Sequence, residues 1–180
     1  MRRYGQHSNE ANLIYINGFR GTESYTTGVI SRELEHLLTA QRPPRESWLA
    51  ESLAEGAMLL TGFYGDQSLV DTYLRNPGHY SLVTTGPVQY GPQLLFASFL
   101  LDSLPIDNGT AISGLAASDK AGRDAVEELW LKLTDVPLSF DAIFSDFVSY
   151  AFTQAEGAAY LPVAWRHSPG IQVAKIPAYY

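Results

Sequence analysis

Apolar residues recur three and four positions apart along most of this chain, and proline or glycine interrupts the pattern at intervals. That spacing gathers them on one side of an α-helix, whereas a half-buried strand needs strict alternation. Residues 22–41 place Ile30, Leu34, Leu37 and Leu38 in such a stripe, the expected apolar side, before Pro43 and Pro44 stop the helix. A second helix is predicted over 46–61, with Leu49, Leu53 and Leu60 inward and Gly62 as its end signal. A shorter one over 68–74 precedes the turn Asn76-Pro77-Gly78. Residues 89–103 read as an apolar helix ended by Pro105, and 119–133 repeat the period through Val126, Leu129 and Leu133. The last helix, 139–153, has Ser139 as N-cap and a stripe of Phe140, Ile143, Phe144 and Phe147, expected in the core. Short β segments are expected at 12–17, closed by Gly18, and at 161–165 and 171–174 around the turn His167-Ser168-Pro169-Gly170. The expected fold is mainly α with a small β component. It forms a single domain over 1–180: an N-terminal strand region (1–21), a helical core (22–154) and a C-terminal β piece (155–180).

Composition narrows the function. A net charge of −7 and scattered basic residues argue against nucleic acid or an anionic membrane as partner. The absence of cysteine excludes disulfides and thiolate metal sites. No apolar run approaches the roughly 18 residues of a membrane span, and residues 1–10 lack the apolar core of a signal peptide, so the chain reads as soluble.

One stretch carries possible chemistry: Arg32-Glu33-Leu34-Glu35-His36, followed by Trp48-Leu49-Ala50-Glu51-Ser52-Leu53-Ala54. Positions 32 and 36 lie one turn apart on one helical face. Two histidines at that spacing can grip one Zn²⁺, a neighbouring glutamate can activate the metal-bound water, and a carboxylate from the next helix can complete the protein ligands. Taken alone, RELEH also fits an ordinary solvated helix pairing.

The segment RELEHLLTAQRPPRESWLAESLAEG resembles the gluzincin zinc metallopeptidases, whose pattern is HExxH followed by a helix bearing W-L-x-E-x-L-A. Versions occur in the hyicolysin-like and alanyl-aminopeptidase branches. The Tyr90-Gly91 pair opening an apolar helix is similar to a further motif of these branches, and the likeness runs in order from about Tyr15 to Thr153. The resemblance implies a zincin-like helical catalytic subdomain, with His36 and Glu51 as metal ligands, Glu33 as general base, and Tyr90 as oxyanion donor. It implies zinc as cofactor if the domain is active, a peptide or protein as partner, and frequent export from bacteria. Tyr90 is equally readable as a core aromatic, Glu55 as a solvated or cleft-rim carboxylate, and His79 as the first of the loop histidines to consider as a substitute ligand.

The departure is Arg32, which stands at the first ligand position. A guanidinium has no lone pair to offer a metal and stays charged. Arg32 is expected to take over the cation's electrostatic role, pairing with Glu51 and with Glu33. Only about thirty residues precede it, room for one or two strands where a complete gluzincin has a substantial sheet. The expected function is therefore a metallopeptidase-like domain with zinc-dependent hydrolysis lost or strongly reduced, binding peptide or protein in the former cleft. The alternatives are an active zinc peptidase with a substitute ligand, and a purely structural helical module.

Overall fold

The computed structural model describes residues 14, 23–40, 42, 45–62, 68–84, 86, 89–104 and 108–155. Among the described residues seven α-helices follow one another: α1 (Glu23–Thr39), α2 (Ser47–Thr61), α3 (Ser68–Arg75), α4 (Gly91–Ser103), α5 (Asn108–Ala117), α6 (Gly122–Thr134) and α7 (Phe140–Ala155). A 3-10 turn, Pro77–His79, follows α3, where the Asn-Pro-Gly sequence predicted a turn. The protein is mainly helical, with no strand among the described residues. The β segments expected at 12–17, 161–165 and 171–174 lie outside those residues, apart from Ile14, which is in no strand.

The bundle is organised around α4, which packs against α2, α3, α5 and α7. Its sequence GPQLLFASFLLDS is apolar on all sides, and every residue from Gly91 to Leu101 is buried, as an all-round apolar helix requires. Phe96 at its centre meets Trp48 of α2 edge-on at 5.8 Å and Phe147 of α7 at 5.3 Å. Such crossed rings add to the area they bury. The start of α4 is as tight as its middle. A Cβ at Gly91 would lie 2.3 Å from the Leu69 carbonyl oxygen and 3.0 Å from the Tyr73 Cβ. Gly91→Ala is accordingly expected to cost about 2–3 kcal/mol, because rigid backbone must move, read as a lower urea midpoint; an unchanged midpoint would show that α3 yields freely.

Several end signals act as the sequence predicts. Gly62 closes α2 in the left-handed region at φ 74°, and the Ser139 hydroxyl accepts a hydrogen bond from the Ala142 amide at 3.3 Å. Glu127 also supports that helix start, accepting from the Phe140 amide at 2.5 Å.

Four expectations need correction. No element was expected over 108–117, yet α5 forms there. Its small residues NGTAISGLAA carry no charge pattern, and tertiary packing supplies the stability that propensity does not. Ala111, Ile112 and Leu115 are buried, Leu129 of α6 comes within 2.6 Å of where a Gly114 Cβ would sit, and Arg45 donates to the Leu115 and Ala116 carbonyls at the helix end. Leu49 and Leu53 of α2 are buried as expected, but at the end of the helix Leu60 is exposed and Leu59 is buried instead. Phe144 is 36% exposed, stacked on Phe140 at the edge of the core rather than inside it. Most informative is α1: Leu34 and Leu38 are 44% and 72% exposed, and α1 packs on α2 through the side that carries Arg32, Glu35 and His36. The apolar stripe is not the buried side of this helix.

Candidate functional site

The reversal of α1 creates the site. Arg32 enters the α1–α2 contact with 17% of its side chain exposed and meets three carboxylates. Its Nη1 donates to Glu33 at 2.9 Å, its Nη2 to Glu51, and its Nε to Glu55 at 3.1 Å. All three guanidinium nitrogens are thus engaged, using the planar fork that distinguishes arginine from lysine. The face of the guanidinium lies over the Tyr90 ring, 4.8 Å from its centroid, the geometry of a cation–π contact.

Beside this centre, the His36 imidazole stands between two carboxylates. Its Nε2 is 3.5 Å from Glu51 and its Nδ1 is 3.6 Å from Glu35. Glu35 is 7% exposed, and neither of its oxygens has a hydrogen-bond partner among the described residues. Tyr90 reaches the cluster from the residue before α4, with a backbone at φ 62°, ψ −38°. A bulky residue at positive φ is strained, and such strain persists only where the surroundings fix it. Here the tight seat of Gly91 against α3 on one side and the guanidinium on the other do so.

Charge states follow from this packing. The hydrogen bond to Glu51 raises the His36 pKa, against the opposing effect of burial. Burial works to raise Glu51, but His36 and Arg32 outweigh it and hold this carboxyl below its usual value. Burial pushes Glu55 up to about 7, with Arg32 offsetting only part of the cost. Burial raises Glu35 as well. Burial works to lower Arg32, but Glu51 and Glu55 more than compensate, and its pKa rises. The guanidinium is therefore a permanent cation, and Glu51 is more firmly ionised than Glu55.

All five residues singled out in the sequence (Arg32, Glu33, His36, Glu51 and Tyr90) come together. Glu55 is not a solvated or rim carboxylate: it is 4% exposed and bonded to Arg32. Its place one turn beyond Glu51 on the same face is the signal that would have found it. Glu35, three positions after Arg32, gave the same kind of signal. His79 lies on the exposed 3-10 turn after α3.

The donor set does not suit a zinc ion. Catalytic zinc takes three protein ligands, and among the described residues no group of three histidine, aspartate or glutamate side chains is arranged to hold a metal. Glu51 already answers to both Arg32 and His36. Comparison with protein families, curated proteins and solved structures finds no match to this chain. No helix among the described residues is long and apolar enough to cross a membrane.

Proposed function

We propose that this chain is a metallopeptidase-like helical domain that has given up zinc-dependent hydrolysis and binds peptide or protein in the former cleft. The observation that supports this reading most is the engagement of Arg32 with Glu33, Glu51 and Glu55 at once. Glu33, the general base of the resembled enzymes, is tied to a cation instead of facing a metal-bound water, and Glu51 is tied to the same cation. Neither residue is arranged for hydrolysis. The partly open edge formed by Glu33, His36 and Glu51, each with 20–36% of its side chain exposed, leaves polar groups for a peptide backbone to meet.

Two measurements on untagged protein test the reading. Elemental analysis is expected to find no stoichiometric zinc, and fluorescein-labelled unfolded protein is expected to bind without being cut. One tightly held zinc per chain, or cleavage stopped by a chelator and abolished by Glu33→Gln, would overturn it. Absence of binding to unfolded protein and to short peptides alike would leave the structural-module alternative in its place.

A further inference from the structure

Helix α7 carries more apolar surface than the core takes up. Phe140, Ile143, Phe147 and Ala151 are buried, where α7 packs on α3, α4 and α6. Phe144, Val148 and Phe152 recur every fourth residue on a neighbouring face, and they stay 36%, 46% and 65% exposed. Phe144 still stacks on Phe140 at the edge of the core, whereas Phe152 stands mostly in solvent. Apolar residues exposed singly are ordinary, but three in line along about 12 Å of helix form a continuous patch. Exposed Ser145 and Ser149 run beside the stripe and leave room for another chain to approach.

Charge selects the occupant. Residues 122–155, which hold α6 and α7, carry six carboxylates and two basic residues, and α7 itself has no lysine or arginine. Asp141 heads the stripe, three positions before Phe144, with 89% of its side chain exposed. Arg123 of α6 lies over the Phe140 ring and 3.7 Å from Asp141, an exposed pair that contributes little and leaves the carboxylate open to a second cation. Pairing α7 with a second copy of itself would bring in more carboxylates and no compensating base. We infer that the α7 stripe docks a cationic amphipathic helix of a partner protein. Its apolar side chains, three and four positions apart, cover Phe144, Val148 and Phe152, while a lysine or arginine meets Asp141. This surface belongs to a different helix from the arginine cluster of α1 and α2, so either reading can fail alone.

The probe is a fluorescein-labelled peptide of about 18 residues with leucine on one helical face and lysine on the other, titrated with the full chain and followed by anisotropy. Binding is expected, and it should weaken as salt is added, because attraction between exposed charges is screened. A peptide of the same composition with its leucines scattered around the helix should bind at least about 10-fold more weakly, since it presents no continuous apolar face. So should one with glutamate in place of lysine, which meets like charge. Phe152→Ser and Val148→Ser remove exposed side chains, so both variants should keep the wild-type melting temperature. Each should lose about 10-fold in affinity, as expected when an apolar anchor is truncated. Asp141→Asn should reduce the salt dependence. No binding of the lysine peptide, equal binding of the scattered or glutamate peptide, or affinity unchanged in both serine variants overturns the proposal. A wild-type dimer in sedimentation that becomes monomeric in Phe152→Ser overturns it as well, and gives the stripe to a second copy of the chain.

Discussion

Arg32→Ala is expected to lower stability by about 3 kcal/mol near neutral pH. The loss comes from what remains: Glu51 and Glu55 face each other in a poorly solvated contact without their shared cation. Removing one partner of a buried ionic group costs about 3–5 kcal/mol. The lower end applies because Glu51 keeps His36 and Glu55 can take up a proton. The penalty should therefore shrink in mildly acidic solution. Urea denaturation of wild type and variant at two pH values measures both effects, and a penalty under about 1 kcal/mol would mean the cluster is as weak as a surface ion pair.

The pH profile of the native protein should be the second large effect, with stability falling as pH rises from about 5 to 8. Burial pushes the Glu55 carboxyl up to about 7 in the folded chain, from an ordinary 4.5. A group with a raised folded pKa holds its proton more tightly when folded. Its contribution is complete below the unfolded value and is lost as pH climbs through the folded value. For Glu55 that interval corresponds to about 3 kcal/mol. Burial of Glu35 acts in the same direction. His36, raised by its bond to Glu51, extends the decline above its ordinary 6.5. Glu51 acts oppositely, since its pKa is lowered, and its contribution disappears only as pH falls below 4.5. Urea midpoints measured across this range should decline, and Glu55→Gln should flatten most of the slope. Midpoints that rise toward pH 8 would contradict the buried, proton-holding Glu55.

The helices were legible because breakers and caps are local signals. Gly62, Ser139 and the Asn76-Pro77-Gly78 turn act within a few residues of themselves, so a linear reading finds them. That Arg32 and His36 lie together was legible for the same reason, since 32 and 36 share a face whatever that face meets. What escaped was decided by packing across the chain. The small residues of α5 become a helix only because Gly56 and Gly114 let Ile112 and Leu129 come close. The buried side of α1 was misread because hydropathy assigns burial by polarity alone. Here a guanidinium bonded to three carboxylates makes the charged side the better one to bury. Glu55 was misread by the same habit, as a lone carboxylate whose partner lay 23 positions away.

The helix that supplies Glu51 and Glu55 also supplies Trp48, whose indole is sealed in the core and donates to Glu46 at 2.7 Å. On the function proposed above, a ligand that engages Glu51 and Glu55 pulls on the same helix that carries this indole. Ultraviolet emission would then report that ligand without any attached dye, once Trp130 and Trp165 are replaced so that Trp48 emits alone.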